Sequence, residues 1–471
     1  MATTQVTNAA GNEVRPLIGS NAAPSKPMSS AGAVAQSVVT KFAIIGINAA
    51  TGIITARALL PVGRGELAAM ILWPVFLANT LTLGFPSALT FEMKSNPKKS
   101  SELLGTALLL AVLTSAIAIA LGVLFMHSWI PQYSLKAILY AQILLATTPL
   151  TSLLNVGRGA FLARGDFGVV NGLLACSPAL TLSLLIALLL THSLTPYSGA
   201  LAYAPVGVVP VGWMMWRLWR LFRPSLKSFR SSARSLFSYG IRSYGVDLCG
   251  TMALYVDQVV VVRFLMPDMM GIYVVALSLS RMLNVFHTSV VMVLFPKAVS
   301  ESAETVRAMT GRAMRMSTLL TASTGLGIAL VGAPLLGLLY GHEYRSAASV
   351  LRILVMEVVL AGATLVLGQA FMALGRPGVV TALQVTGLLL VVPLMLVLVP
   401  RYGIVGAGIA LLLSTTTRFL FVLASFRLFL KIPAPALLPN RDDLRYIARA
   451  VSQRISFLEW KTLAAAKEME S

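Results

Sequence analysis

A few charged side chains lie inside long apolar runs of the sequence, where each needs water or a partner of opposite charge. Arg281 is ten residues into the apolar run 271–296, about 15 Å along a helix that rises 1.5 Å per residue. That depth reaches the middle of a bilayer core about 30 Å thick. A charge there costs about 2.5–3.5 kcal/mol on insertion scales, so retained charges usually line a hydrated passage. Arg281 is therefore the first candidate for binding an anion, and a structural ion pair with a neighbouring helix is the alternative.

Three further basic residues, Lys41, Arg57 and Arg263, lie near the ends of apolar runs. They are candidates for the same anion, although long basic side chains at helix ends also extend to the membrane interface without binding anything. Two carboxylates, Asp247 and Asp257, fall on one predicted helix. Either can hold a coupling cation or exchange a proton. A structural pair is the alternative for Asp257, which is about 9 Å of helical rise from Arg263. Asp247 lies closer to the predicted cytoplasmic end of the helix, and contact with water there is its alternative.

The elements that position these residues are predicted to be membrane-spanning helices. Hydrophobic residues make up 57% of the 471 residues and charged residues 11%, with a mean hydropathy of +0.81. Soluble domains carry roughly 25% charged residues. Apolar runs of about 20 residues predict spanning helices, and runs of this length exclude membrane strands. We find twelve such runs: 38–57, 67–91, 103–126, 136–160, 168–190, 198–221, 240–263, 271–296, 312–332, 346–373, 378–399 and 403–429.

The net charge of +20 is distributed unevenly between the two sides of the predicted membrane. One side carries the clustered basic residues, and the other carries isolated arginines at positions 57, 64, 263, 345 and 401. Because positive loops stay in the cytoplasm, we expect both termini to be cytoplasmic. The basic clusters lie at 94–99, 158–164, 217–242 and 297–315.

Several short motifs occur twice in the same order. RALLPVGRGELAAM at 57–70 shares its Arg, Leu, Pro and Gly positions with RFLMPDMMGIYVVA at 263–276, 206 residues later. GAFLARGDFGVV at 159–170 and QAFMALGRPGVV at 369–380 are identical at seven of twelve positions. FPSAL at 85–89 likewise pairs with FPKAV at 295–299. We therefore predict two parallel six-helix repeats around a central cleft, in which the repeated Gly and Pro residues shape the turns.

The chain is then divided into five predicted regions. The basic segment between the halves is the longest basic connection. The last region is predicted to contain an interfacial amphipathic helix, with one apolar face formed by Leu444, Ile447, Val451, Ile455 and Leu458. A loosely ordered tail is the alternative there. The regions are a disordered cytoplasmic tail (1–37), a first six-helix half (38–221), a basic cytoplasmic linker (222–239), a second six-helix half (240–430) and a cytoplasmic tail (431–471).

Three segments resemble parts of Wzx-type polysaccharide-biosynthesis flippases. Residues 255–283 resemble their helices seven and eight, residues 57–70 the loop after helix one, and residues 373–420 helices eleven and twelve. These flippases belong to the multidrug/oligosaccharidyl-lipid/polysaccharide exporter superfamily, and the resemblance covers about residues 35–430. It implies a bacterial inner-membrane protein that flips a polyprenyl-pyrophosphate-linked oligosaccharide from the inner to the outer leaflet. A polysaccharide polymerase and a chain-length regulator are the partner proteins that it suggests. It also places an acidic residue at the position of Asp257.

Other classes of protein are disfavoured by the sequence. No catalytic constellation, Walker motif or metal-ligand spacing is present, so we expect no enzyme activity, no cofactor and no metal. The basic residues are dispersed among apolar spans, which does not favour nucleic-acid binding. A cation-coupled multidrug antiporter of the same superfamily remains the main alternative. A membrane glycan polymerase or ligase is less favoured, because the predicted outer loops are short.

Overall fold

The computed structural model describes residues 30–299 and 301–438. Within these ranges the chain forms helices and no strand, as its apolar runs predict. The helices are α1 Ser30–Thr80, α2 Phe85–Ser95, α3 Ser100–Trp129, α4 Leu135–Leu144, α5 Thr148–Arg164, α6 Phe167–Leu190, α7 Pro196–Phe222, α8 Phe229–Phe264, α9 Pro267–Arg281, α10 Asn284–Ala298, α11 Ala303–Leu330, α12 Gly332–Tyr340, α13 Ala348–Ala373 and α14 Pro377–Leu430.

The described helices make the chain a polytopic all-α membrane protein. Eight helical segments are long and apolar enough to cross a membrane, and two bent pairs of helices would raise the number to ten. The two longest segments, Val39–Ser95 and Pro377–Leu430, contain 57 and 54 residues. Each would extend about 80 Å, far more than a bilayer core of about 30 Å. Dividing each at its internal break would give the twelve spans of the sequence, and that number stays a prediction.

The internal breaks occur at residues with positive φ. Leu60 has φ 57° and ψ 175° directly before Pro61, and Gly403 has φ 57° three residues after Pro400. Proline disfavours helical geometry in the residue before it. A non-glycine residue in the conformation of Leu60 is strained, because that region of backbone space is populated almost only by glycine. The break separates the two apolar runs 38–57 and 67–91 predicted in α1 and α2.

One repeated motif forms the same turn in both halves. Gly165 ends α5 with φ 78°, and Gly375 follows α13 with φ 69°. In each turn the amide after the glycine donates to the carbonyl of a phenylalanine four residues before that glycine: Asp166 to Phe161 at 3.0 Å, and Arg376 to Phe371 at 2.8 Å. The amide of each glycine also donates to the carbonyl three residues before it, Gly165 to Leu162 at 3.1 Å and Gly375 to Met372 at 3.3 Å. Two such bonds around one left-handed residue form the Schellman C-cap, which favours glycine. Phe161 and Phe371 are both fully buried.

The apolar interior consists of one core shared by the two halves and two cores that are separate. The turns near residues 96, 165, 225, 300 and 375 define the basic end of the bundle; the other end is called the opposite end. The shared core extends from the opposite end and includes Leu59, Met270 and Tyr340. Towards the basic end, one core contains residues 85–236 and the other residues 294–426. The halves therefore share one core at the opposite end, whereas towards the basic end they have separate cores and touch where α2 meets α8, at Gly84 and Gly240.

The twice-occurring loop motif brings the two halves into backbone contact at the opposite end. A Cβ added at Gly65 would lie 1.7 Å from the carbonyl oxygen of Pro267, and one added at Gly271 would lie 2.0 Å from that of Pro61. The two glycines are 206 residues apart, as are the two prolines. The expectation that the repeated Gly and Pro residues only shape turns was thus incomplete. Because Gly65 and Gly271 lack side chains, they also allow α1 and α9 to touch.

The predicted linker 222–239 is largely helical. Residues 229–239 form the start of α8, and the side chain of Leu236 is fully buried in the core of the first half. Phe237 packs edge-on against Phe85 with ring centroids 5.2 Å apart. The start of α8 therefore packs with the helices that precede it. The predicted tails lie mostly outside the described residues, including the predicted amphipathic helix, although residues 30–37 belong to α1.

Candidate functional site

A cavity of about 540 Å³ lies between α1, α2, α5 and α6 of the first half and α8 of the second; we call it the central cavity. It occupies the part of the bundle nearer the basic end. Its wall combines apolar residues with hydroxyl, amide and charged groups, so that water and a polar ligand can enter a membrane-embedded space. The polar groups include Asn79, Ser87, Asn155, Arg158, Asp247 and Thr251.

Arg158 carries the positive charge of the central cavity. Its guanidinium donates a hydrogen bond to Oδ1 of Asn155, whose amide donates in turn to Oδ1 of Asn79 at 3.2 Å. No carboxylate forms an ion pair with Arg158 among residues 30–299 and 301–438. Guanidinium presents five N–H donors in a fixed plane, so several remain available to an anion in the cavity.

The sequence groups Arg158 with the basic cluster 158–164, whereas the structure places it within a helix, where it lines the central cavity. It lies inside α5, six residues before the last residue of that helix, which is about 9 Å along the axis. The available signal was its position inside the apolar run 136–160. Asn79 and Asn155, whose amides hold it in place, fall within predicted spans as well.

Asp247 contributes a negative charge from the second half. It lies on α8, where the axis bends by 47° between Phe229–Gly245 and Asp247–Phe264. Ser87 of α2 donates a hydrogen bond to its Oδ2 at 3.3 Å. The central cavity therefore contains one arginine from the first half and one aspartate from the second.

Arg281 and Asp257, predicted from sequence as an anion-binding and an ion-coupling residue, form an ion pair. Arg281 Nη2 lies 3.1 Å from Asp257 Oδ2, and Tyr273 donates its hydroxyl to the same oxygen at 2.8 Å. The Asp257 side chain is fully buried, whereas that of Arg281 is 31% exposed. Arg281 also donates to the carbonyl of Leu254 at 3.1 Å. Because Leu254 lines the central cavity, the pair lies next to its deep end.

The ion pair changes the electrostatic interpretation of Arg281. The structural alternative is the arrangement that we observe, and the charge of Arg281 is compensated by Asp257. The other carboxylate oxygen of Asp257, Oδ1, is buried without a hydrogen-bond partner among the described residues. A buried acceptor without a partner is costly, so its retention needs an explanation.

The remaining predicted basic residues lie away from the central cavity. Lys41 faces Thr288 of α10 across a small gap. Arg57 donates to the carbonyls of Leu338 and Leu339 at the end of α12, with Nε 2.8 Å from the latter. Arg263 lies over the ring of the next residue, 5.6 Å from its centroid. The described contacts of Arg57 are those of a helix C-cap, and its role in substrate binding, like those of the other two, stays a prediction.

Comparisons with known proteins were made on the whole chain. Residues 34–302, more than half of the chain, match the profile of the family described as "Polysaccharide biosynthesis protein". Two proteins of Haloferax volcanii are similar over 195 residues. The probable low-salt glycan biosynthesis flippase Agl15 is 28% identical over 41% of this chain, and the probable flippase AglR is 29% identical over 40% of it. The match spans 40% of the length of each relative.

Solved structures share the fold at low sequence identity. The lipid II flippase MurJ in an inward closed conformation has a TM-score of 0.72 at 14% identity, covering 87% of this chain and 89% of MurJ. An inward-facing multidrug resistance MATE family transporter of the MOP superfamily has a TM-score of 0.63 at 16% identity, covering 84% of this chain and 100% of the transporter. These likenesses establish the fold alone.

Proposed function

Because the chain belongs to the polysaccharide biosynthesis protein family, we propose that it is a flippase for polyprenyl-pyrophosphate-linked oligosaccharide repeat units. It moves each unit from the inner to the outer leaflet for assembly of a surface polysaccharide, such as O-antigen or exopolysaccharide. The lipid tail stays in the bilayer while the glycan and pyrophosphate cross between the two halves. The membrane of action is the bacterial inner membrane, with both termini in the cytoplasm.

The observation that carries this proposal is that Arg158 faces the central cavity without a counter-ion among the described residues. A pyrophosphate is a bulky anion with several acceptor oxygens, and arginine is the side chain that binds such groups through several N–H donors. The neighbouring hydroxyl and amide groups of Ser87, Asn79 and Thr251 suit a sugar. Since Arg158 needs no rearrangement of an ion pair before it binds, it replaces Arg281 as the first residue expected to meet the anion.

The arrangement of the two halves supports alternating access. The central cavity lies towards the basic end, while Gly65 and Gly271 hold the opposite end in backbone contact. In transporters built from two parallel repeats, rocking of one half against the other exposes the same site to the other side. A membrane potential that is negative inside favours outward movement of each negative charge by about 2.3 kcal/mol per 100 mV.

Ion coupling would use Asp257 or Asp247. An anion that reaches the deep end of the cavity competes with Asp257 for the partly exposed guanidinium of Arg281. Once released, Asp257 has no counter-ion, its Oδ1 is free and its Oδ2 keeps only the hydrogen bond from Tyr273, so it attracts a proton or sodium ion in exchange. Asp247 differs because it already lines the cavity and forms no ion pair among the described residues, so a cation reaches it without any release step.

The test is transport of a fluorescent polyprenyl-pyrophosphate glycan in reconstituted vesicles. Arg158→Gln keeps hydrogen-bonding capacity but removes the charge, and we expect transport to slow by about 10- to 100-fold, the loss typical of a charge-assisted bond. Arg164→Gln is the matched control, since Arg164 lies on the same helix but is exposed and pairs with Asp166 at 3.1 Å. Transport by Arg158→Gln at the unaltered rate would refute the proposed site.

The multidrug antiporter remains the alternative because Asp247, an acidic group suited to organic cations, lines the same cavity. It predicts that the unaltered protein exports a fluorescent organic cation down a proton or sodium gradient, and that Asp247→Asn abolishes that export. The flippase proposal predicts no such export. A glycan polymerase or ligase would instead lengthen or transfer the labelled glycan, which chromatography of the recovered lipid detects.

A further inference from the structure

A second membrane-level cavity of about 520 Å³ lies on the outside of the first half, between α6 and α7. We call it the α6/α7 groove. A Cβ at Gly172 would meet no other atom within 4 Å, so the groove is open at this position. It extends over the nine residues from Gly168 to Cys176, about 12 Å of helix. Its wall includes Gly168, Gly172 and Cys176 of α6, and Val209, Trp213 and Arg217 of α7.

Arg217 lies at the end of the groove nearer the basic end. Its guanidinium is 5.3 Å from the ring of Trp213 and 5.8 Å from that of Phe161. It has no hydrogen-bond acceptor within the described part of the chain. Aromatic faces stabilise a guanidinium but leave its N–H groups unused. The groove thus combines an apolar channel with unused donors at one end.

The surrounding side chains place Arg217 at the level of lipid headgroups. Trp213, Trp216 and Trp219 are spaced three apart on the last turns of α7 and are 42%, 51% and 64% exposed. Tryptophan is enriched at the interface between the hydrocarbon core and the headgroups. An apolar channel that extends from this level into the hydrocarbon has the depth and chemistry of an acyl-chain site.

We infer that the α6/α7 groove binds one anionic phospholipid of the leaflet at the basic end. One acyl chain occupies the space beside Gly172, and the phosphate accepts hydrogen bonds from Arg217. A free phosphate would leave the apolar channel empty. A zwitterionic lipid would bring its cationic group close to Arg217, where no carboxylate lines the groove to offset it. Occupancy of this groove does not depend on what the central cavity transports.

Native mass spectrometry of the full-length protein in detergent measures the bound lipid. We expect one phosphatidylglycerol to be retained in preference to phosphatidylcholine. Arg217→Gln is expected to weaken phosphatidylglycerol binding about tenfold or more, as loss of a charge-assisted hydrogen bond does, and Gly172→Leu is expected to abolish it by filling the channel. Arg220→Gln and Gly212→Leu are the matched controls, since both positions are on α7, outside the groove lining, and neither should change the binding.

The two cysteines of the chain allow the lipid to be located. In a Cys249→Ser background, Cys176 is the only thiol and lies in the groove wall. Phosphatidylglycerol should slow its reaction with N-ethylmaleimide, and phosphatidylcholine at the same concentration should not. Equal protection by phosphatidylcholine, protection by inorganic phosphate, or an equal effect of Arg217→Gln and Arg220→Gln would overturn the inference. Protection by a polyprenyl phosphate at lower concentration than phosphatidylglycerol would also overturn it, because the groove would then serve the transported lipid.

Discussion

Replacing Gly271 by alanine is expected to force the two halves apart at the opposite end. The new Cβ would lie 2.0 Å from the carbonyl oxygen of Pro61, 2.9 Å from its carbonyl carbon and 3.1 Å from the amide nitrogen of Gly65. Atoms in van der Waals contact stay about 3.5 Å apart. All three neighbours are backbone atoms, so no side-chain rotation relieves the clash. The helices must therefore separate by roughly 1–1.5 Å, a distance set by the same contact length.

The magnitude follows from the cost of over-packing, which is about 1–3 kcal/mol. The clash exists only while the opposite end is closed, so this energy shifts the equilibrium between closed and open arrangements. A shift of 1.4 kcal/mol is about tenfold in that equilibrium. The higher helix propensity of alanine does not change this equilibrium, because α9 is expected to stay helical in both arrangements. Gly65→Ala should act in the same direction, since its Cβ would lie 1.7 Å from the carbonyl oxygen of Pro267.

Labelling of a buried cysteine measures this equilibrium. Met270 is fully buried in the shared core. Met270→Cys therefore reports opening of this end when both native cysteines have been changed to serine. A membrane-impermeant maleimide should react about tenfold faster after Gly271→Ala, in line with the energy above. Gly46→Ala is the control, because a Cβ there would meet no atom within 4 Å. An unchanged labelling rate in a correctly inserted Gly271→Ala protein would show that the two glycines do not hold this end closed.

Three further predictions concern thermal unfolding in detergent. Asp257→Asn should destabilise the protein by about 3–5 kcal/mol, because it leaves Arg281 without its counter-ion. Adding Arg281→Gln should recover much of that loss. If stability does not recover, the two side chains are not energetically coupled. Leu60→Gly should stabilise by about 1 kcal/mol or more by removing backbone strain, and a lower midpoint would contradict that strain. Gly362→Ala should destabilise by about 1–3 kcal/mol, since its Cβ would lie 1.8 Å from the ring of His287; combined with His287→Ala, the loss should be smaller than the sum of the two single changes.

The helices were predictable because their signals are local. Long apolar runs and the turn residues between them are enough to place most elements, and the repeated A-F-x-A-x-G pattern marks the turns at Gly165 and Gly375 in advance. The start of α8 was not predictable in this way. Its basic composition suggests an exposed linker, and only tertiary packing against Phe85 brings Leu236 into a core.

The candidate site was predictable in kind but not in detail. The sequence identifies charged residues in apolar runs, and Asp247 and Arg281 do lie in or beside the central cavity. Which charges are compensated depends on the rotation and depth of each helix relative to its neighbours. Arg281 meets Asp257 because α8 and α9 are adjacent, whereas Arg158 meets only an amide. A count of basic against acidic residues in the spans cannot distinguish these two situations.

The packing of α8 has a mechanical consequence. Its first turns are anchored among the helices of the first half through Leu236 and Phe237, while its last turns carry Asp257 in contact with Arg281. The same helix thus passes from the first half into the second, with its 47° bend beside Asp247. Any rotation of one half relative to the other would have to twist or straighten α8. A movement that opens the central cavity would therefore also strain the ion pair of Asp257 and Arg281, because both depend on the same helix.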